Sequence, residues 1–200
     1  MNQKENNSSF WEEKYLDNSL GWDLGGPTPI FIQISSEFNP GKICFVGCGR
    51  GHDAIRFAQK GFDVTAVDFA PSAIQAVNNL AKKSNVIVHA VQADIFSLTP
   101  KYSETFDYII EQTCFCAMHP NYRINYETLV KSILKPGGHL IGLWFPLDKT
   151  INEGGPPWGT SVEEVKTLFN SGWKIKKEEF PELSIERRKG REKLIIFKKE

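Results

Sequence analysis

Apolar positions along the chain fall into short runs that alternate with helically spaced patterns. The short runs predict strands at residues 43–46, 63–67, 86–91, 106–110 and 139–145. Helices are predicted between them, including one that begins at Pro71 and one at residues 122–134. Strands that alternate with helices in this way predict a mainly parallel sheet with helices on both faces.

The C-terminal part of the chain departs from this alternation. Ser161 and Glu164 form a capping-box pattern, which predicts the start of a helix. Strands predicted at residues 173–180 and 193–198 follow each other without a helix between them, so we expect an antiparallel pair. The whole pattern predicts an α/β fold: a Rossmann-like, doubly wound, seven-stranded sheet that closes with an antiparallel C-terminal strand pair.

The N-terminal part is aromatic-rich and irregular. Glycines and prolines at residues 22–29 break both the helical and the strand period, and a helix is expected at residues 29–37. The aromatic side chains of residues 10–38 are Phe10, Trp11, Tyr15, Trp22, Phe31 and Phe38. They could form a cap on the core or a lid over a ligand, and we predict a lid. Residues 1–9 are polar and predicted to be disordered, and residues 1–200 are predicted to form a single domain.

Three glycines on alternate positions follow the first predicted strand. Gly47, Gly49 and Gly51 can adopt positive φ and leave no Cβ between the main chain and a ligand. The helix that begins here would point its N–H groups at the same ligand. The G-x-G-x-x-G pattern of dinucleotide-binding proteins would need a glycine at His52. The observed G-x-G-x-G resembles the first motif of S-adenosylmethionine (SAM) methyltransferases, and an ordinary strand-to-helix turn is the alternative.

Acidic residues stand at three consecutive strand ends. Asp68, Asp94 and Glu111 would lie together, because ligands of open α/β sheets bind outside the carboxyl ends of the strands. Asp68 is placed to accept hydrogen bonds from both ribose hydroxyls, and Asp94 with Ile95 is placed for the adenine. Each carboxylate alone could instead cap a turn or a helix. Asp68 alone would equally serve NAD, whereas Asp94 and the Lys-Pro-Gly-Gly turn at residues 135–138 favour SAM.

Composition excludes several function classes. Lys and Arg (24) balance Asp and Glu (24), and no basic stripe accompanies the aromatic residues, so no nucleic-acid partner is expected. No apolar run has the length of a membrane span, and no signal-peptide pattern opens the chain. The four cysteines match no common zinc spacing. We therefore expect free thiols, no metal site and a monomeric, cytoplasmic protein without a membrane partner.

Longer motifs span nearly the whole chain from Trp11. They are Trp-Glu-Glu-Lys-Tyr at 11–15, Trp-Asp-Leu-Gly-Gly-Pro-Thr-Pro at 22–29, Gly-Cys-Gly-Arg-Gly-His-Asp at 47–53, Phe-Asp-Tyr-Ile-Ile-Glu at 106–111, Phe-Cys-Ala at 115–117, Leu-Lys-Pro-Gly-Gly at 134–138, Gly-Gly-Pro-Pro-Trp at 154–158 and Arg-Lys-Gly-Arg-Glu-Lys at 188–193. In this order they resemble the thiopurine methyltransferase family, most of all its thiol and halide methyltransferase branch. The resemblance implies the class I SAM methyltransferase fold, with SAM as cofactor and S-adenosylhomocysteine as product. It also implies methyl transfer to a soft acceptor: a small-molecule thiol, a thiopurine, hydrosulfide, thiocyanate, a halide, or a selenium or tellurium species.

The glycine loop, the strand ends and the resemblance together give the predicted site. The predicted cofactor-binding residues are Trp11, Tyr15, Trp22, Gly47, Cys48, Gly49, Gly51, Asp53, Asp68, Phe69, Asp94, Ile95 and Glu111. The predicted acceptor-binding residues are Trp22, Phe115, Phe145, Trp158 and Arg187. Glu111 and His119 are the candidate catalytic residues, although a thiol near its reference pKa of about 8.5 ionises without a strong base.

Some interpretations stay open. The charged run at residues 186–191 is most simply a solvated turn, and Arg187 reaching over the acceptor to attract an anion is the alternative. Cys114 and Cys116 could lie near the transferred methyl or be buried structural residues. Departures from the family pattern leave the acceptor unidentified; they include Val46, Gln112, Cys114 and His119. The alternative functions are a small-molecule O- or N-methyltransferase and a non-catalytic SAM-binding protein.

Overall fold

The computed structural model of this chain describes residues 4–200 and contains one seven-stranded sheet. Strands β1 to β7 span Lys42–Val46, Asp63–Asp68, His89–Gln92, Phe106–Gln112, Leu134–Trp144, Trp173–Glu179 and Lys193–Lys199. Their order in the sheet is β3-β2-β1-β4-β5-β7-β6. The first five strands are parallel, and β7 is antiparallel to both of its neighbours. The predicted seven-stranded sheet with an antiparallel C-terminal pair is confirmed.

Six α-helices surround the sheet. Helices α1 to α6 span Ser8–Leu16, Pro29–Glu37, His52–Gln59, Pro71–Ser84, Arg123–Ile133 and Val162–Leu168. The predicted helix at residues 29–37 and the capping box of Ser161 and Glu164 at the start of α6 are both confirmed. Within residues 4–200, no helix combines the length and the apolarity needed to cross a membrane.

The two faces of the sheet have separate hydrophobic cores, because strand side chains point alternately to opposite faces. On β1, Ile43 and Phe45 pack with residues of α2, α3 and α4. Cys44 and Val46 face the other way and pack with residues of α5 and α6. Strand order reverses between β1 and β4, so the crevice expected for a ligand opens at the carboxyl ends of these two strands.

The structure departs from the prediction at several boundaries. Strand β3 begins at His89, three residues later than predicted, and β5 begins at Leu134, so the Lys-Pro-Gly-Gly segment lies inside a strand. The pairing of β4 with β5 is irregular between Phe106 and Tyr108, which accommodates this segment. Strand β4 continues to Gln112, beyond its predicted end.

The N-terminus is also more regular than predicted. A short 3₁₀ turn spans Lys4–Asn6, and α1 then begins at Ser8, so the prediction of disorder is wrong for residues 4–9. The side chain of Asn7 accepts a hydrogen bond from the backbone N–H of Ser9 (3.1 Å) and thereby caps α1. The indole N–H of Trp11 donates to the carbonyl of Glu5 (2.8 Å), which fixes the turn against the helix. Residues 1–3 lie outside the described part of the chain.

Candidate active site

A cavity of about 760 Å³ opens at the carboxyl ends of the parallel strands. Its volume is in the range of small-molecule and cofactor sites. Predicted site residues on its wall are Trp11, Tyr15, Trp22, Gly47, Asp68, Phe69, Asp94, Ile95, Phe145 and Arg187. Wall residues that the sequence analysis did not assign include Phe10, Lys14, Phe96, Thr113, Cys114, Cys116, Met118, Tyr122, Pro156, Pro157, Arg188 and Arg191.

The glycine loop presents only one of its glycines to the cavity. Gly47 lines it with φ +61°, and a Cβ built there would lie 2.9 Å from the Cβ and Sγ of Cys114. Gly51, with φ +79°, instead allows close packing of α3 on α4, since its Cβ would lie 2.7 Å from Val77. Gly49 and Cys48 do not line the cavity; the Cys48 thiol donates to the carbonyl of Gly49 (3.6 Å). Of the predicted loop contacts, the structure therefore brings only Gly47 to the cavity wall.

Asp68 ends β2 and links the glycine loop to the cavity. One carboxylate oxygen accepts the backbone N–H of Gly49 (3.0 Å) and the other accepts that of Ala70 (3.0 Å). Each oxygen keeps lone-pair capacity for a ligand hydroxyl. The side chain lines the cavity although the residue is only 7% exposed, and burial raises its pKa to about 6.

Asp94 and its neighbours form the next part of the wall. Asp94 is exposed, and one oxygen of its carboxylate accepts the N–H of Phe96 (2.9 Å). Ile95, Phe96 and Phe69 line the cavity beside it and supply apolar surface. A carboxylate can accept a hydrogen bond from the amino group of a nucleobase, and the apolar side chains beside it can pack on the ring. This arrangement suits adenine, as predicted.

The aromatic residues of the N-terminal segment close one side of the cavity. The ring centroid of Trp22 lies 5.4 Å from that of Trp11 and 5.8 Å from that of Tyr15, both with edge-on geometry. Burial raises the pKa of Tyr15, so its hydroxyl is protonated at neutral pH. Phe10, Trp11, Lys14 and Tyr15 all line the cavity from α1. Their i, i+1, i+4, i+5 spacing places them on one face of a helix. The sequence analysis did not use this spacing and predicted an irregular segment instead.

Asp53 does not reach the cavity, contrary to the prediction that it binds cofactor. Its two oxygens accept the backbone N–H (2.7 Å) and the hydroxyl (2.9 Å) of Thr28. Burial raises its pKa to about 6. Asp53 stands in the first turn of α3 and Thr28 directly precedes α2, so the pair joins the N-termini of these helices.

Glu111 is also displaced from its predicted place at the reacting end. The residue is 1% exposed and absent from the cavity wall. Its carboxylate accepts the hydroxyl of Tyr126 (2.6 Å) and the backbone N–H of Phe115 (2.9 Å). Burial raises its pKa to about 7. The physical reason is that β4 continues past Glu111, whose side chain points into the core towards α5.

The other candidate base, His119, serves as a helix cap. Its Nδ1 accepts the backbone N–H of Asn121 (3.2 Å) at the start of the 3₁₀ turn Pro120–Tyr122. Its ring meets that of Trp158 edge-on at 4.7 Å. Neither ring lines the cavity.

Two of the predicted acceptor-binding residues, Trp158 and Phe115, do not line the cavity. The backbone N–H of Trp158 donates to the carbonyl of Cys116 (2.7 Å), and Pro156 and Pro157 line the cavity in its place. Phe115 is 3% exposed and packs on Tyr126 and Trp144 at 5.6 and 5.1 Å.

Sulfur-containing side chains line the wall beside Gly47. Cys114, Cys116 and Met118 come from the loop after β4, and all four cysteines of the chain are free thiols. Burial raises the pKa of the Cys116 thiol to about 12 and that of the Cys114 thiol well above its usual value. These thiols are therefore protonated at neutral pH and form a soft wall without charge.

Comparisons with known proteins agree with this geometry. The family model for thiopurine S-methyltransferase matches residues 6–198. A probable thiol methyltransferase 2 of Arabidopsis thaliana is 34% identical over 98% of this chain and 87% of its own length. Thiocyanate methyltransferase 1 of Brassica oleracea is 33% identical over 94% and 84%, and a thiopurine S-methyltransferase of Aliivibrio fischeri is 29% identical over 96% and 95%.

Solved structures support the same fold. A Burkholderia thailandensis N1-methyltransferase, whose structure contains bound S-adenosylhomocysteine, superposes with a TM-score of 0.78 at 20% identity, over 96% of this chain and 86% of its own. A TehB-like SAM-dependent methyltransferase from Corynebacterium glutamicum superposes with a TM-score of 0.68 at 16% identity, over 96% and 98%. The fold is that of class I SAM methyltransferases, and the chain belongs to the thiopurine S-methyltransferase family.

Proposed function

We propose that this chain is a SAM-dependent methyltransferase that transfers a methyl group to the sulfur of a small molecule. The observation that carries the proposal is one continuous cavity whose wall combines the strand-end carboxylates Asp68 and Asp94, aromatic side chains of the N-terminal segment and sulfur-containing side chains. Family membership supports the same reaction class.

The residues present fit SAM. Gly47 has positive φ and no Cβ, so its main chain can lie against Cys114 at the cavity wall, where a cofactor can approach it. Asp68 keeps acceptor capacity for ribose hydroxyls, and Ile95 with Asp94 suits the adenine. When bound, SAM supplies an electrophilic methyl group on a sulfonium sulfur.

The chain's own residues would then align the reactants and keep water away. Trp11, Tyr15 and Trp22 can cover the positive sulfonium with their rings, a cation–π contact worth about 0.5–2 kcal/mol. The sulfur side chains and Phe145 offer a weakly hydrated surface to a soft nucleophile. Alignment and exclusion of water are the main requirements of an in-line displacement with a good leaving group.

The reaction needs no strong general base. A thiol with a pKa of about 8.5 is appreciably ionised at neutral pH. This agrees with the position of the two predicted bases, because Glu111 is held by Tyr126 in the core and His119 caps a turn outside the cavity. An enzyme that methylates a hydroxyl would be expected to place a base or a metal set at the reacting end.

Several acceptors remain within this proposal. Relatives carry the names thiol, thiocyanate and thiopurine methyltransferase. We propose a thiol or a similarly soft acceptor, which includes hydrosulfide, a halide and selenium or tellurium species. We further propose that the protein is a cytoplasmic monomer with no nucleic-acid or membrane partner.

The test is an S-adenosylhomocysteine release assay with hydrosulfide, small thiols, a thiopurine, iodide, selenite and a catechol as acceptors. We expect release with thiols or another soft acceptor and none with the catechol. Release with the catechol alone would contradict the proposal and indicate an O-methyltransferase. SAM binding without release for any acceptor would indicate a non-catalytic binding protein.

A further inference from the structure

The segment that connects α1 to α2, residues 17–28, contains neither a helix nor a strand, yet it carries Trp22. Trp22 lines the cavity, and its indole nitrogen lies 3.9 Å from the Cβ position of Gly49 in the glycine loop. Among residues 4–200, the two hydrophobic cores include none of Trp11, Tyr15 and Trp22. Core packing therefore does not fix the position of this ring, and other contacts must do so.

Asp23, the residue after Trp22, supplies such contacts through its carboxylate. Its Oδ2 accepts a hydrogen bond from the guanidinium of Arg50 at 3.1 Å. Its Oδ1 accepts the backbone N–H of Gly25 at 2.8 Å and lies 3.4 Å from Nε2 of His52. The Asp23 side chain is only 11% exposed and does not line the cavity. It can therefore affect a ligand only through the residues that it holds.

The partners of Asp23 attach the connecting segment to the glycine loop. Arg50 lies between Gly49 and Gly51, and His52 is the first residue of α3. Arg50 also donates to the side-chain oxygen of Asn18 at 3.1 Å. Because Asn18 precedes Trp22 and Asp23 follows it, Arg50 holds the connecting segment on both sides of the ring.

Two of the longer sequence motifs meet at this contact. Asp23 belongs to the motif at residues 22–29, and Arg50 and His52 belong to the motif at residues 47–53. The same two motifs meet a second time where Thr28 donates to Asp53. The irregular segment is thus attached at both ends of its motif to the loop that borders the cavity.

The C-terminal loop holds the backbone of the same segment independently. The carbonyls of Trp22 and Asp23 accept hydrogen bonds from Arg188 (3.0 Å) and Arg187 (3.2 Å). Neither contact uses the Asp23 carboxylate, so both can persist when that carboxylate is removed. We therefore expect a variant of Asp23 to stay folded, with the segment attached and Trp22 less firmly placed.

We propose that Asp23 is a positioning residue for methyl transfer: through Arg50 and His52 it fixes Trp22 at the cavity wall beside the glycine loop. This inference rests on the proposed function and adds a residue that touches neither cofactor nor acceptor. A hydrogen bond between a carboxylate and a guanidinium is short and oriented, which suits it to hold a segment without regular structure. A ring that is already in place costs less to order when the cofactor binds, so its fixation raises affinity.

The test is calorimetry with S-adenosylhomocysteine. Asp23→Ala should bind about fivefold more weakly, the size of one partly exposed charge pair. Arg50→Ala should show a similar loss while leaving the turn between Asp23 and Gly25 intact, and Arg50→Lys should recover part of the affinity. Asp17→Ala is the matched control, because Asp17 is an exposed carboxylate of the same segment and does not line the cavity.

A second measurement separates positioning from a general structural role. In a Trp22→Ala background, the further change Asp23→Ala should leave the affinity for S-adenosylhomocysteine unchanged, because the ring that Asp23 positions is gone. Additive losses in the double variant would overturn the proposal, since Asp23 would then act on something other than Trp22. Unchanged affinity in folded Asp23→Ala and Arg50→Ala variants would overturn it as well.

Failure of this proposal is distinct from failure of the proposed function. The affinity for S-adenosylhomocysteine is measured without an acceptor, so absence of turnover with every soft acceptor would overturn only the proposed function. An unaltered protein that does not bind S-adenosylhomocysteine would overturn both.

Discussion

Glu12 on α1 caps the first turn of α4 through Ser72. One oxygen of its carboxylate accepts the Ser72 hydroxyl at 2.5 Å, and the other accepts the Ser72 backbone N–H at 3.0 Å. Ser72 is the second residue of α4, where backbone N–H groups have no partner within the helix. Helix α1 is thereby attached to α4, which packs on the central sheet, and Trp11 and Tyr15 of α1 line the cavity.

We predict that Glu12→Ala weakens binding of S-adenosylhomocysteine by about fivefold, since a capping interaction is worth about 1 kcal/mol. Titration calorimetry measures the effect. Glu13→Ala is the control, because Glu13 is exposed on the same helix. If Glu12→Ala binds S-adenosylhomocysteine as tightly as Glu13→Ala does, the contact between Glu12 and Ser72 does not position α1 for cofactor binding.

Gly47→Ala should strongly reduce cofactor binding. The new Cβ would lie 2.9 Å from Cys114 at the cavity wall, in a backbone conformation with φ +61°. Gly25→Ala is a matched control, because Gly25 has φ +72° and no atom within 4 Å of its Cβ position. Both variants carry backbone strain of about 1 kcal/mol, but only Gly47→Ala should lose affinity for S-adenosylhomocysteine in calorimetry. Equal loss in both would show that strain, rather than the close approach, is responsible.

Glu111 should make the protein less stable as pH rises. Its pKa is raised by burial from 4.5 to about 7, so between these values the folded state binds more protons than the unfolded state. The free energy of unfolding therefore falls as pH rises through this window, by at most about 3 kcal/mol from this group. Glu111→Gln should flatten that slope in urea unfolding measured from pH 4.5 to 7. An unchanged slope would contradict the assigned pKa.

The same variant separates a structural role of Glu111 from a catalytic one. A general base contributes about 10²–10⁴-fold to a rate. We predict that Glu111→Gln keeps turnover within about tenfold of the unaltered protein, measured as S-adenosylhomocysteine release with a thiol. A loss of more than about a hundredfold, with the variant still folded, would restore Glu111 as the base.

Local patterns were sufficient for the elements that depend on a few neighbouring residues. Glycines at 47, 49 and 51 predicted the turn after β1, and Ser161 with Glu164 predicted the start of α6. The order of strands and helices predicted the parallel sheet and its antiparallel end. Asp68 could be placed at the crevice because it is the last residue of its strand.

The remaining site residues depend on boundaries and tertiary contacts that no local pattern contains. Glu111 was expected at the reacting end, just beyond the predicted strand, but β4 continues to Gln112, and side chains alternate between faces along a strand. Its carboxylate therefore meets Tyr126 in the core. Arg188 reads as part of a solvated charged run, but contacts with Trp22 and Phe145, both distant in sequence, bury it.

The central claim, that Asp68 at the end of β2 binds the ribose of SAM, is tested most directly by titration calorimetry with SAM on Asp68→Ala. We predict at least about a tenfold weaker affinity, because charge-assisted hydrogen bonds to the ribose hydroxyls are lost. Asp63→Ala, at the opposite end of the same strand, should bind SAM like the unaltered protein. Unchanged SAM affinity in a folded Asp68→Ala variant would contradict the claim.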